Sequence, residues 1–390
     1  MKYDWKTKRL VDIVEFNPKE QIYKGQIAKK VSMEKLRPFY RNITGFSIEM
    51  FYSGTKFRNG DTIMARITPC LENGKIAKVS ILKDNEVGFG STEYIVFRAI
   101  EGISDPDYIY YLICSPFVRD AAIKSMVGSS GRQRVQESVL KNLEILVPTY
   151  KEQVKIGYVL KMVDDRIEIN NKINDNLQQQ AQALFINFFF NKDDTPSFWQ
   201  KGCLLDIADY LNGLAMQKFR PTDNEIGLPV LKIKELRQES CDDSSDLCSP
   251  NIKTEYIVNN GDVIFSWSGS LIVDFWCGGT CGLNQHLFKV TSTKYDKWFY
   301  YAWTKYHLAR FIEVAVDKAT TMGHIKRDEL QKAEVFIPSD EDYNILGSKL
   351  QPMYDLIIAN RIESQKLATL RNELLPKLIY GELDVSNIEF

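Results

Sequence analysis

The sequence predicts an α+β protein written twice. Two mixed, sheet-dominated domains are separated by two long antiparallel coiled-coil helices, and the whole has a pseudo-two-fold internal repeat. Three observations carry this prediction. Residues 129–184 recur from 319 to 374 at a constant offset of 190, so Ile145-Leu146-Val147-Pro148 aligns with Val335-Phe336-Ile337-Pro338 and Asn170 with Asn360. An earlier landmark, Phe57-Arg58-Asn59-Gly60-Asp61-Thr62-Ile63 against Val258-Asn259-Asn260-Gly261-Asp262-Val263-Ile264, is offset by 201, so the stretch between landmarks varies in length. After each of the two prolines, apolar residues return in alternating steps of four and three, which is the pattern of a helix seam. A period this long exceeds the roughly 20–50 residues of a solenoid unit, so each copy is domain-sized.

Residues 1–148 form the first domain. Short apolar runs are broken by turn chemistry at Gly60-Asp61, Glu72-Asn73-Gly74 and Gly88-Phe89-Gly90, and the last of these is expected as a hairpin turn. Alternation in Glu93-Tyr94-Ile95-Val96-Phe97-Arg98 and the run Leu143-Glu144-Ile145-Leu146-Val147 predict strands. A helix is predicted over 106–124, capped by Asp105, with a counterpart beginning near Asp296. Pro148 ends the final strand, and Thr149-Tyr150-Lys151-Glu152 has the form of a capping box, matched by Ser339-Asp340-Glu341-Asp342 in the second copy.

The first spacer helix is expected over 149–190, the second domain over 191–338, and the second spacer helix with a C-terminal tail over 339–390. The first seam runs Ile156, Leu160, Val163, Ile167, Asn170, Asn174, Leu177, Ala181, Leu184. Its copy runs Leu346, Leu350, Met353, Ile357, Asn360, Ser364, Leu367, Arg371, Leu374. The polar break falls at the same heptads in both, so Asn170 and Asn360 are read as a mutual register device. A helix of about 37 residues is roughly 55 Å long. Two-fold pairing would make the helices antiparallel and put the domains at opposite ends, a ruler against the roughly 34 Å turn of duplex DNA.

Composition narrows the class. A length of 390 residues with 44% hydrophobic content supplies two or three domains with sizeable cores. The N-terminal stretch has no apolar segment, and no run of about 18 apolar residues occurs, so a cytoplasmic protein is expected. Seven cysteines at irregular spacing argue against a disulfide framework. Cys277-x3-Cys281 has only His286 nearby, too few ligands for structural zinc, and no metal is expected. The net charge of −1 does not announce nucleic acid, but basic residues cluster locally. Arg119, Lys124, Arg132, Arg134 and Lys141 do so in the first copy, and Lys305, Arg310, Lys318, Lys326 and Arg327 in the second. Such stripes can meet phosphates.

Catalytic motifs are missing: there is no GxxxxGK[ST], HExxH or GxSxG, and only three histidines. No catalytic residue is assigned. Two loops are more informative. Ser129, Ser130, Arg132, Gln133 and Arg134 in the first copy align with a stretch holding Thr320, Thr321, His324 and Lys326 in the second. Hydroxyls, glycine amides and basic side chains in one loop suit contacts to phosphates and base edges. Arg66 and Thr68 after the first Asn-Gly-Asp turn, with Ser266, Trp267 and Ser268 after the second, are further candidates. So are Lys218 and Arg220, with Arg41 in the first copy.

Taken in order along the chain, these features resemble the specificity (S) subunits of type I restriction-modification systems. The resemblance covers nearly the whole chain. It rests on the two unequal domains, the matching helices, the Ile-Leu-Val-Pro to helix junction and the terminal Leu374-Leu375-Pro376-Lys377-Leu378-Ile379-Tyr380-Gly381-Glu382-Leu383. Gly213-Leu214-Ala215-Met216-Gln217-Lys218-Phe219-Arg220, followed by Gly227-Leu228-Pro229-Val230-Leu231-Lys232-Ile233, is similar to the opening of that family's target-recognition domain. The first domain departs from this, with Ile22 to Ala28 in the corresponding place.

The resemblance implies two target-recognition domains, each reading half of a bipartite asymmetric site in double-stranded DNA. It also implies helices that dock two methyltransferase (M) subunits, with restriction/translocase (R) subunits joining. S-adenosylmethionine, ATP and Mg are then expected on those partners, and none in this chain. Two other readings stand beside it. A self-sufficient DNA adenine methyltransferase would draw on Val87-Gly88-Phe89-Gly90 and Asp105-Pro106-Asp107-Tyr108; a coiled-coil adaptor without DNA contact is permitted by the near-neutral charge.

Overall fold

The structure, a computed structural model, describes residues 5–129, 131–190, 196, 199–317, 325 and 327–388. The chain divides into two compact units, one of Met1–Arg166 with Leu367–Phe390 and one of Ile167–Lys366. The division does not fall at the helix starts expected at 149 and 339, because each unit takes a part of both long helices into its own packing.

The first unit holds two four-stranded sheets and a ribbon. One sheet has the order Val14–Phe16, Tyr94–Ala99, Thr62–Ala65, Ile76–Lys78, with every pairing antiparallel. The other has the order Ser47–Met50, Ile27–Val31, Gly88–Gly90, Thr55–Phe57, and its central pair, Ile27–Val31 with Gly88–Gly90, is parallel. Lys6–Arg9 pairs with Glu144–Val147. Thr62–Ala65, Gly88–Gly90 and the first four residues of Tyr94–Ala99 are buried on both faces, and side-chain alternation there feeds two cores. Tyr94 and Val96 pack with Ile63 and Val31, while Ile95 and Phe97 pack with Met64, Tyr108 and Tyr111.

The second unit repeats this order strand for strand. Its sheets run Asp209–Asn212, Leu287–Thr291, Val263–Ser266, Ile272–Phe275 and Leu247–Cys248, Leu228–Leu231, Cys281–Leu283, Ile257–Val258. The parallel pair is Leu228–Leu231 with Cys281–Leu283, and the ribbon is Gln200–Cys203 with Glu334–Ile337. Phe97 opposite Thr62 and Val290 opposite Val263 are equivalent, and their offset is 193 (290 minus 97). Most of the drift from 201 to 190 therefore lies between the strand at 62–65 and the strand at 88–90. Residues 66–75 link two strands in the first unit where residues 267–271 suffice in the second.

Two local expectations are corrected. Gly88–Gly90 is a buried strand and not a hairpin turn, because it pairs with Ile27–Val31 and Thr55–Phe57. Its glycines answer a close approach: a Cβ on Gly90 would lie 2.7 Å from the Val31 carbonyl oxygen and 2.6 Å from the Tyr94 ring. The single helix expected over 106–124 is two, Pro106–Cys114 and Pro116–Lys124, because Pro116 forces Ser115 out of helical geometry and Ser115 caps the second helix. Asp105 does cap the first of them, accepting from the Asp107 and Tyr108 amides at 2.9 Å.

The long helices are Tyr150–Phe190, 41 residues, and Asp340–Ile379, 40 residues. Each is about 60 Å long at 1.5 Å per residue. The first capping box forms, with the Thr149 amide donating to Glu152 at 2.9 Å; in the second the Asp342 amide donates to the Ser339 hydroxyl at 3.2 Å. Their seam does not run as one uninterrupted helix–helix stripe. In the first unit Ile156 and Leu160 join the domain core with Leu375, Leu378 and Ile379, while Val163 and Leu367 are half-buried. In the second, Leu346, Leu350 and Ile357 join a core with Ala181, Phe185, Phe189 and Trp303, and Leu177 and Met353 pack at its edge. Ile167 is buried as well.

The polar break is where the helices hold each other. The buried Asn170 Nδ2 donates to Glu363 Oε2 at 2.7 Å, to Ser364 Oγ at 3.3 Å and to the Asn360 carbonyl at 3.4 Å. The Asn360 Nδ2 donates in turn to Asn174 Oδ1 at 2.9 Å. Partner numbers fall as residue numbers rise, so the pairing is antiparallel. The register device is wider than the expected Asn170–Asn360 pair: each amide reaches one turn further along the facing helix.

Candidate nucleic-acid interface

In both units the central strand leaves its sheet at the same point and meets the same neighbours. In the first, the Arg66 amide donates to the Glu93 carbonyl at 2.9 Å and the Val135 amide donates to the Arg66 carbonyl at 2.9 Å. In the second, the Trp267 amide donates to the His286 carbonyl at 3.4 Å and the Ile325 amide donates to the Trp267 carbonyl at 3.0 Å. Arg66 and Trp267 are 201 apart, and Val135 and Ile325 are 190 apart. The two sequence landmarks therefore converge in space on one repeated backbone junction.

The first unit builds a loop on that junction. Val127 and Arg134 exchange backbone hydrogen bonds at 2.9 and 3.0 Å, and the Thr68 amide donates to the Gln133 carbonyl at 3.1 Å. The Gln133 amide donates back to the Thr68 hydroxyl at 3.1 Å. Gly131, with φ of 78°, turns the tip in a conformation that side chains disfavour. Arg66, Thr68, Gln133 and Arg134 are thus brought together, and Ser129 and Arg132 are exposed at the tip. Ser130 lies outside the described residues.

Several basic residues of this unit are already engaged. Arg134 grips Glu93 through Nε at 2.9 and 3.0 Å and Nη2 at 2.6 Å, and that contact holds the Glu93 carboxyl below the usual range. Arg66 donates to Glu137 Oε1 at 3.2 Å and to the Val135 carbonyl at 3.4 Å. Arg41, expected to hold a phosphate, is 8% exposed and is ion-paired with Asp165 of the long helix. Its role is to fasten the domain to that helix, and the buried position removes it from the interface.

The second unit presents other chemistry at the junction. Trp267 packs against His286 and Phe288 and donates through Nε1 to Asn212 at 2.9 Å. Ser268 Oγ lies 3.2 Å from His286 Nδ1. Ser266 is fully buried, with its hydroxyl donating to the Ser268 and Ser270 carbonyls at 3.2 and 2.8 Å. It staples the turn and does not face outward as expected. Lys218 and Arg220 are exposed at and just after the short helix Met216–Lys218. Thr320, Thr321, His324 and Lys326 lie outside the described residues. Glu93 and His286 were not singled out as contacts from sequence; only their shared place after a parallel strand pairs them.

The residues behind the methyltransferase reading are spent on architecture, Gly88–Gly90 as a strand and Asp105 as a cap. All seven cysteines are free thiols, with Cys248, Cys277 and Cys281 buried. Among the described residues no helix is long and apolar enough to cross a membrane.

The class these features define is a duplicated α+β protein whose repeated frame holds differing side chains at one repeated junction. The family model described as type I restriction modification DNA specificity domain matches residues 2–179 and again 196–371. The chain belongs to that family; its role is DNA sequence specificity, and it is not itself a catalyst. It is 27% identical over 310 residues to the type I restriction enzyme MjaIX specificity subunit of Methanocaldococcus jannaschii, covering 72% of this chain and 70% of that one. It is 18% identical over 403 residues to the HindI specificity subunit of Haemophilus influenzae, covering 84% and 87%. The solved type I restriction-modification S subunit from M. genitalium shares the fold, with a TM-score of 0.57 at 12% identity over 97% of this chain and 96% of that one.

Proposed function

We propose that the two units read the two halves of a bipartite, asymmetric site in double-stranded DNA. The observation that carries this is the repeated junction: identical backbone hydrogen bonds hold Arg66 and Trp267, while the surrounding side chains differ. A common frame with differing rims reads two unlike half-sites. In the first unit Ser129, Arg132 and Gln133 approach the duplex, with Thr68 shaping the loop. In the second, Lys218 and Arg220 meet phosphates, and Ser268, Thr320, Thr321, His324 and Lys326 are the further contacts.

Two M subunits dock on the long helices, and R subunits join the same assembly. The cofactors S-adenosylmethionine, ATP and Mg reside on those partners. The protein works in the cytoplasm, where its DNA substrate is. A map of methylated adenines in cells with and without this chain tests the reading. The expected result is one two-part motif that appears only with the chain; unchanged methylation, or methylation without a motif, would overturn it. Binding of the assembled complex should also weaken steeply with salt, as phosphate contacts release counterions.

A further inference from the structure

The second unit contains a cleft of about 440 Å³ at the carboxyl ends of its parallel strands, Leu228–Leu231 and Cys281–Leu283. Open sheets gather ligands at such ends, because both chain exits turn their side chains toward one place. Lys232 and Lys234 line one side, Asn284, Gln285 and His286 the other. Most of these groups are committed. Lys232 pairs with Asp246, and Lys234 Nζ donates to Ser244 Oγ at 2.6 Å. Asn284 is buried, with Oδ1 accepting from the His286 amide at 3.3 Å. His286 is braced by Ser268 through Nδ1 at 3.2 Å.

Two glutamines also line the cleft, the exposed Gln217 and Gln285, and of the two it is Gln285 that is half-buried. Its backbone is anchored, the amide donating to the Leu214 carbonyl at 2.8 Å, while its side chain is half-buried and, among the described residues, meets only His286 Nε2, at the long distance of 3.4 Å. A planar group with both donors and an acceptor thus sits on a rigid exit, in a cleft whose two lysines are each paired with an aspartate. The first unit offers no such group at the equivalent exits. Ser32 and Glu34 follow one strand there, and Ser91, Thr92 and Glu93 the other, with Glu93 occupied by Arg134.

We infer that Gln285, positioned by His286 and Ser268, is a base-reading residue of the second unit, and that the base it reads is an adenine. An amide spans the N7 acceptor and N6 donor of adenine in the major groove, a pairing no other base edge offers there. The inference rests on the two-reader function above and assigns one contact within it.

The test uses the full chain with its M subunits and reads the methylated motif. Gln285→Ala should relax one A·T requirement in one half-site, lowering discrimination there about ten- to a hundred-fold, while the other half-site keeps its sequence. Gln285→Glu should move that position toward C, whose N4 amino group donates to a carboxylate, a shift that a structural role would not produce. An unchanged motif in both variants, or loss of methylation at every site, would overturn the assignment. A wild-type complex without any defined motif would instead overturn the two-reader function.

Discussion

The two units share a strand order and a backbone junction, yet they finish the junction in opposite ways. The first closes it with charge: Arg134 is locked on Glu93 and Arg66 on Glu137, leaving the loop tip with Ser129 and Arg132 exposed. The second leaves beside it a cleft lined by the His286 imidazole and the Gln285 amide, with Trp267 packed against His286. The backbone hydrogen bonds do not depend on the side chains they carry, so the same frame tolerates both solutions. Length differs at the same place, ten residues at 66–75 against five at 267–271. Divergence of chemistry and of length at one rim is the behaviour expected of a specificity surface on a rigid scaffold.

The comparison extends to how each unit holds its helices, and there the largest effects are expected. In the first unit Arg371 and Asp164 form a buried pair at 2.6 Å, with side chains 12% and 5% exposed, and the Tyr111 hydroxyl donates to the same carboxylate at 2.7 Å. Breaking such a pair strands a buried charge, at a cost of about 3–5 kcal/mol. Arg371→Ala should therefore lower the melting temperature by several degrees and open the first unit in hydrogen exchange. The second unit uses a different pair, between the long helix and a sheet strand, joining Arg361 to Asp274 at 2.8 Å, where Asp274 is 22% exposed. Arg361→Ala should cost less, and an equal or greater loss would break the comparison.

A smaller effect separates the units by pH. His307 of the second unit is buried between Trp303 and Phe311, its Nε2–H donating to the Glu334 carbonyl at 2.8 Å. Burial, with Arg310 nearby, lowers its pKa, so the folded state keeps the ring neutral. The stabilisation is full above the usual histidine value of about 6.5 and is lost as pH falls from there toward the lowered folded value. Thermal melts across that window should show the second unit weakening, and His307→Phe should remove the trend. Persistence of the trend in that variant would assign it to other groups.

Recognition variants sharpen the comparison without touching stability. Removing one phosphate contact should reduce the salt slope of binding by about 0.9. Lys218→Ala should do this and weaken methylation at all sites alike, whereas Arg132→Ala should relax the motif in one half-site only. Identical behaviour of the two would erase the distinction between a positioning and a reading residue. The smallest effect is expected at Arg134→Ala, whose ion pair with Glu93 is solvent-exposed. Melting should stay within experimental scatter, while the loop at 127–135 loses its outer brace.

The repeat, the helices, their caps and the Asn seam are all readable along the chain, because each depends on residues a few positions apart. Asp105 and Thr149 cap helices that start one residue later, and the heptad steps expose their own spacing. Arg41, Ser266 and Gly88–Gly90 escape such reading for one shared reason. A basic residue before a loop looks like a phosphate ligand until Asp165, 124 positions away, is seen to hold it. A serine beside a glycine turn looks exposed until its strand proves buried. A Gly-Phe-Gly run looks like a turn until two strands pack on it.

By itself the sequence determined that one frame is used twice, that its helices pair in register, and that the differences lie between landmarks offset by 201 and 190. Periodicity and offset survive in a linear string because they are set by local geometry. Which side chains face outward at the rim was decided only in three dimensions. Glu93 meets Arg134, and Ser268 meets His286, across separations of 41 and 18 residues. Nothing in local spacing encodes those pairings, since they arise from sheet register and from the burial that register imposes.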